Sequence, residues 1–278
     1  MSRPRRPTLL PIGRSLSHRQ SMRVATNLPV SLVMSNYPAP FLPARAVDVG
    51  VAGLCVQTDT LLDARAVRTV KLLLDDRELE LPVKSRWQSE LGTGHEPLTG
   101  FEFTHVDAQS ELALWDLIQT FGRELAGFLR GCVGLESLGF EDGFNLAMAT
   151  RLRQLGAGKT IYGPEDPGSS SIYMLVHGGV VLEEFPESGS QRRFAVVKPG
   201  EPFGGLAVAA GCSAFEYAFA TEESTILEFP SYTVDHLIST NPLLGIALLR
   251  ATSYQWVVRL REASLAGGAP RETDARRA

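Results

Sequence analysis

Two short segments near the N-terminus carry residue types that recognise phosphate and purine edges. Arg19-Gln20-Ser21-Met22-Arg23 sets two guanidiniums close together, and Asp48-Val49-Gly50-Val51-Ala52-Gly53 sets one carboxylate and two glycines in a turn ahead of Leu54-Cys55-Val56. Guanidinium forks make bidentate bonds to phosphate oxygens and to the O6/N7 edge of guanine, and they stack on purines. A carboxylate accepts from guanine N–H groups. Arginines on an arm facing such a turn therefore suit a guanine-containing dianion. An isolated RxxxR reads as a solvated charge pair; its company with Asp48 and Gly53 makes this one informative.

Other candidate chemistry fails on spacing. Gly156-Ala157-Gly158-Lys159-Thr160 ends like a phosphate-binding loop, but Arg153 stands where the first glycine is required, and Ile161-Tyr162-Gly163-Pro164 follows where a helix must begin. His18, His95, His105, His177 and His236 include no pair at helical metal-ligand spacing, and Gly211-Cys212-Ser213 lacks a nucleophile elbow. Glu183 and Glu184 are neighbours in a strand, so they point to opposite faces. Cys55, Cys132 and Cys212 are odd in number and form no CxxC pair, which fits neither a zinc nor a redox site. No nucleophile, base and orienter assemble, so an enzyme is not expected and neither a cofactor nor a metal is implied.

The elements that must position the arginines and the turn are short strands. Glu78 to Trp87 alternates strictly, with Leu79, Leu81, Val83 and Trp87 on one face and Glu78, Glu80, Lys84 and Arg86 on the other. Phe101 and Phe103 alternate likewise, and several such strands between Asn27 and Val106 predict a small barrel. Asp107 stands at an N-cap position, and Leu112, Trp115, Ile118, Phe121, Leu125 and Phe128 then recur at helical spacing until Gly131 and Gly134. A boundary is expected there, within a chain of 278 residues that suits two domains. Beyond it the pattern predicts a short helix around Phe144 and Met148. Strands follow over 172–176, 180–185, 194–197, 217–220 and 225–229, then helices from Ser231 and from Pro242 to Ala263.

The first unit, 18–131, resembles a PilZ domain, the bacterial receptor module for cyclic di-GMP. That family pairs RxxxR with [D/N]xSxxG on a six-stranded barrel with a trailing helix. Arg19, Arg23, Asp48 and Gly53 match the pattern; Gly50 stands where the family has serine. The resemblance thus implies cyclic di-GMP as ligand at Arg19, Arg23, Asp48, Gly50 and Gly53. The lost hydroxyl contact is worth ~0.5 to 1.5 kcal/mol.

The second unit, 132–265, resembles a cyclic-nucleotide-binding β-roll with N- and C-terminal helices. The resemblance rests on Leu155 to Ile161, Gly178-Gly179-Val180 and Pro199-Gly200-Glu201-Pro202-Phe203-Gly204. It places the phosphate-binding cassette at Phe203, Gly204, Gly205, Leu206 and Ala214. The family's ribose-binding glutamate is here Gly205, and the arginine that meets the cyclic phosphate falls at Ala214, so the pocket reads as degenerate. Glu216 would repel a phosphate; Arg192 or Arg193 is the alternative cation. The fold class implied is mainly β with flanking helices.

Charge and the last helix bear on partners. Residues 1–23 hold six arginines and no carboxylate, although the whole chain has a formal charge of −4. Residues 1–17 read as a flexible basic arm and 266–278 as a disordered tail. An acidic body, and only that tail after the last helix, leave no expectation of DNA binding. No apolar run approaches the ~18 to 20 residues of a membrane span. Arg5-Arg6 is followed by Pro11 and Gly13 rather than an export segment, so a cytoplasmic protein is expected. The helix over 242–263 carries two apolar stripes: Leu244, Leu248, Ala251 and Val258, and Leu243, Ala247, Tyr254 and Val257. The second stripe fits either a homodimer or the first domain of the same chain. Two functional readings stand: a cyclic di-GMP receptor that signals to an unidentified protein partner or across a dimer, and a ligand-blind interaction adaptor with both sites decayed.

Overall fold

The computed structural model describes residues 23–35, 41–74, 77–89, 97–164, 166, 170–184, 192–211 and 214–267. Six antiparallel strands close a barrel: β1 (Arg23–Met34), β2 (Phe41–Gly50), β3 (Gly53–Gln57), β4 (Val67–Leu74), β5 (Arg77–Gln88) and β6 (Leu98–Phe103), in the spatial order β1-β2-β3-β6-β5-β4. Closure leaves no free strand edge. Alternation fills the interior with Val24, Val49, Leu54, Leu81 and Phe101. Trp87 departs from the expected alternation. A register shift between Ser85 and Trp87 inserts a bulge, and the indole is exposed, turned out of the barrel.

Helix α1 (Ala108–Arg130) starts at Asp107, whose carboxylate accepts from the Ser110 N–H at 2.7 Å. Its buried stripe is Ala113, Leu114, Leu117, Ile118, Leu125, Ala126 and Leu129. Leu112, expected on that stripe, is exposed. Gly131 caps the C-terminus. Helix α2 (Phe140–Met148) then packs Phe144 and Met148 against Gly122 of α1, where an added Cβ would approach the Phe144 ring to 2.4 Å.

The second half is a β-roll of two four-stranded sheets. One comprises β11 (Arg192–Val197), β10 (Val180–Glu184), β13 (Glu216–Ala220) and β8 (Thr160–Tyr162); the other comprises β12 (Pro202–Gly204), β9 (Ser171–His177), β14 (Ser224–Pro230) and β7 (Arg151–Leu155). Helices α3 (Leu206–Ala210), α4 (Ser231–Thr240) and α5 (Pro242–Gly267) complete it, α5 running beyond the expected end at Ala263. The sheet containing β9 is buried on both faces. Tyr173, Leu175 and Ile226 point into the roll. Ile172, Met174, Leu227 and Phe229 point outward into a core shared with α1, α2 and the barrel. That is why Ile172-Tyr173-Met174-Leu175 is apolar throughout rather than alternating.

Because Val24 and Leu227 belong to one apolar cluster, barrel and roll are expected to unfold together. Calorimetry should show one cooperative transition. Phe144→Ala, costing about 3 to 5 kcal/mol for a buried phenyl, should lower its midpoint without splitting it.

Candidate functional site

The residues singled out for the barrel converge at one end of its outer face. Arg23 opens β1 and is paired in register with Gly50; Ala25 pairs with Asp48. Gly50 and Gly53 face each other across the two-residue turn Val51-Ala52. The Arg23 Nη1 donates to Asp48 Oδ1 at 2.6 Å, with the two side chains 21% and 9% exposed. The guanidinium is thus held by Asp48 while its side chain keeps partial exposure to solvent. Arg19 lies outside the described residues. Gly53 is explained by packing: a Cβ there would meet the Phe101 carbonyl oxygen at 2.2 Å, and the Phe103 N–H donates to the Ala52 carbonyl alongside.

Sequence reasoning missed Trp87. Asp48, Cys55, Gly100 and Trp87 form a single row across β2, β3, β6 and β5. At ~4.8 Å per strand the row spans about 14 Å. The indole lies over Gly100, where a Cβ would come within 2.1 Å of its Nε1, and is 50% exposed. Beside it opens a cleft of about 510 Å³ lined by Leu62, Arg65, Arg86 and Gln88 among others. Period-two alternation gave Trp87 to the core; only the bulge brings it out.

In the β-roll, Phe203, Gly204 and Gly205 lie together beneath α5. The Trp256 indole N–H donates to the Gly204 carbonyl at 2.9 Å. Gly205 has φ +74°, and a Cβ would meet Ile172 Cγ1 at 2.7 Å and Thr252 Cγ2 at 2.9 Å. A glutamate cannot be restored there without moving α5. Ala214 is buried among Phe203, Tyr162 and Tyr173; the two tyrosine rings stack at 5.3 Å, as do Tyr173 and Phe203. Leu206 begins α3. Phe215 packs against Phe194 and Trp256. The side chains of Arg192 and Arg193 lie outside the described residues.

Sequence reasoning set Glu216 beside this pocket but missed its burial and its partners. Glu216 is fully buried; its carboxylate accepts from the Tyr162 hydroxyl at 2.7 Å and from the Phe215 N–H at 3.2 Å. Burial pushes the Glu216 carboxyl up from its ordinary value, outweighing the Tyr162 hydrogen bond, and pushes the Tyr162 phenol well up. The cation nearby comes from α5. Arg259 is 3% exposed, and its Nη2 reaches Glu201 Oε2 at 3.4 Å. Among the described residues no cluster of His, Cys, Asp and Glu could hold a metal ion. Cys55 and Cys132 are buried, and burial raises the Cys132 thiol to about 12.

Comparison with known families agrees with this geometry. The PilZ domain family matches residues 17–120 and the cyclic nucleotide-binding domain family residues 152–241. The chain carries a PilZ domain followed by a cyclic nucleotide-binding domain. Both families are regulatory binding domains. No curated protein matches the chain. Among solved structures it is similar to the catabolite activator protein of Thermus thermophilus, at 26% identity over 48% of this chain and 60% of that one, TM-score 0.41. A cyclic nucleotide-binding domain from Methylobacillus flagellatus is similar at 15% identity over 56% and 86%, TM-score 0.48. The c-di-GMP responsive regulator CLP of Xanthomonas campestris is similar at 15% identity over 45% and 61%, TM-score 0.41. The chain thus spans about 60% of the length of the Thermus protein.

The raised Glu216 carboxyl has a pH consequence. A carboxyl that holds its proton more tightly when folded loses stability for the fold as pH rises above the ordinary value near 4.5. Glu216→Gln, neutral at every pH, should therefore gain thermal stability relative to the unmodified protein between pH 5 and pH 8. A difference that is constant across that range would contradict burial as the dominant cause.

Proposed function

We propose that this chain is a cytoplasmic cyclic di-GMP receptor. Its PilZ barrel, residues 18–131, takes the ligand, and its second domain, residues 132–265, passes the event to a protein partner or a second copy. The observation that carries the reading is the Arg23–Asp48 pair beside the Gly50/Gly53 hairpin, within a chain segment that matches the PilZ family. In this reading Asp48 orients Arg23 toward phosphate, and the partly exposed Arg23 side chain takes the first contact. Arg19, four residues upstream, supplies the second guanidinium. Trp87, in the same cross-strand row as Asp48, offers a face on which a guanine stacks. Gly50 carries no hydroxyl, so affinity is lower than a serine would give.

In this reading the second domain does not take a cyclic nucleotide in the family's manner, because the side chains of Tyr162, Tyr173, Phe203 and Glu216 are buried in its interior. Its output surface is α5. Leu244, Leu248 and Ala251 are buried, whereas Leu243, Tyr254 and Val257 are 82%, 59% and 64% exposed. The second stripe is therefore not covered by the barrel of the same chain. Exposed Ile246 and Leu260 extend it, and the spacing Leu243, Ile246, Val257, Leu260 follows a heptad. A homodimer through residues 242–263 is the simplest cover. The described residues contain no helix long and apolar enough to cross a membrane.

Titration calorimetry on the full chain should give binding with cyclic di-GMP and none with cAMP. Arg23→Ala removes one partner of a charge-assisted contact, ~2 to 5 kcal/mol, and should weaken binding well over tenfold. Trp87→Ala should cost ~1 to 3 kcal/mol if a guanine stacks there. No heat with cyclic di-GMP at high micromolar concentration would leave the ligand-blind adaptor. Light scattering should report a dimer that Val257→Glu dissociates with unchanged circular dichroism, whereas Leu248→Glu should damage folding itself. A monomer at tens of micromolar would remove the dimer.

A further inference from the structure

The interior of the β-roll presents an unusual host for a cyclic nucleotide. Its charged groups among the described residues include the buried carboxylate Glu216 and the carboxylate Glu201 at the rim, with Arg153 and Glu228 paired beside the Tyr173 ring; a further cation, Arg259, is delivered by the helix that closes the roll. Around them stand Tyr162, Phe203, Phe215 and Trp256. An acidic, aromatic-walled interior recognises a flat cation, because carboxylates pair with a guanidinium and aromatic rings tolerate it at low desolvation cost.

We propose that the β-roll is a guanidinium socket and that its resident ligand is the Arg259 side chain of the same chain. Three observations carry this. Arg259 is 97% withdrawn from solvent, at 3% exposure, which an arginine does not do without a site to enter. It is placed there by α5 residues that touch the cassette directly: Thr252 stands over Gly205 and Trp256 is hydrogen-bonded to Gly204. And its fit is incomplete: among the described residues Nε and Nη1 have no hydrogen-bond partner, while Nη2 makes a single long contact to Glu201.

The third observation makes the socket testable. A guanidinium has five N–H donors, and the tether to α5 leaves most of Arg259's idle. A free guanidinium ion carries no tether and can turn to use them. Removing the Arg259 side chain should therefore leave a socket that a soluble guanidinium enters. The unmodified protein, whose socket is filled, should not respond. The proposal is independent of cyclic di-GMP binding at the barrel, so failure of either leaves the other standing.

The probe is methylguanidinium chloride at low millimolar concentration, with methylammonium chloride and sodium chloride at equal ionic strength as controls. In the full chain, Arg259→Ala should lower the thermal midpoint by about 5 °C or more. Methylguanidinium should restore at least half of that loss with a saturating dose response, and neither control salt should. The proposal falls if the variant is as stable as the unmodified protein, if methylammonium restores it equally, or if both proteins respond alike. Should Arg259→Ala not fold, the unmodified chain with ¹⁵N-labelled arginine decides. The Nε–H resonance lost in Arg259→Lys should exchange with water at least 100-fold more slowly than those of surface arginines; exchange at the surface rate would overturn the socket.

Discussion

Everything distinctive in this molecule depends on one sheet that is buried on both sides. The β12-β9-β14-β7 sheet turns Tyr173, Leu175 and Ile226 into the roll and Ile172, Met174, Leu227 and Phe229 into the core that the barrel also lines. A sheet with a wet outer face would have let the two domains hang on a linker. Here the linker is itself docked. The Val133 N–H donates to the Gly200 carbonyl at 3.0 Å, and the Cα of Ala251 lies 2.8 Å from where a Cβ on Gly134 would sit. Strand β7 also lies against β1 and β2, the strands that carry Arg23 and Asp48. A displacement of that hairpin therefore meets packed side chains rather than a flexible hinge, and close-packed interfaces shift between discrete arrangements instead of deforming smoothly.

The two guanidinium–carboxylate pairs illustrate how burial decides what such a pair does. Arg23–Asp48 is short and borders solvent. The Arg23 side chain keeps 21% exposure and its partner 9%, so the pair is only partly screened and a dianion arriving from solution must compete with Asp48 for the guanidinium. Arg259–Glu201 is longer, with the arginine withdrawn from water. Desolvation there opposes ionisation of the guanidinium, and the surrounding carboxylates offset it only in part. The first pair suits a site that waits for a ligand. The second suits one whose ligand is part of the fold.

The legible parts of the sequence were those governed by local periodicity. The barrel strands, the Asp107 cap, the Gly131 stop and the helices of the roll follow from alternation, helical spacing and turn residues, which act within a few positions along the chain. Trp87 was not legible because a one-residue bulge reverses a strand's faces, and nothing in Ser85-Arg86-Trp87 marks it. Leu112 lies outside the arc of α1 that Leu114, Ile118, Leu125 and Leu129 bury, although Ala113 and Leu114 beside it are already packed, so its apolar character does not place it in the core. The resemblance set Gly205 and Ala214 at the expected anchor positions, but nothing along the chain marked Tyr162, Tyr173, Phe203 and Glu216 as buried together. Arg259 lies 54 residues after Gly205 on a helix whose apolar residues look alike on two sides. Only the three-dimensional course of α5 shows which side the arginine enters.

That course links the socket to the exposed stripe. Residues on a helix are separated by about 100°, so fixing Thr252, Trp256 and Arg259 toward the cassette also fixes Leu243, Ile246, Tyr254 and Val257 outward. The two faces cannot be adjusted separately. A rotation of α5 large enough to bring Tyr254 into shelter would pull Arg259 from Glu201 and Trp256 from the Gly204 carbonyl, exchanging a satisfied indole N–H for an unsatisfied one. The buried arginine, although imperfectly bonded, thus sets which apolar residues the helix offers to a partner. The same helix is touched through Ala251 by the segment that follows α1. Under the receptor proposal, movement of the barrel on ligand binding and the presentation of the stripe would meet on α5. Their coupling can be strong only to the extent that Arg259 holds two distinguishable positions.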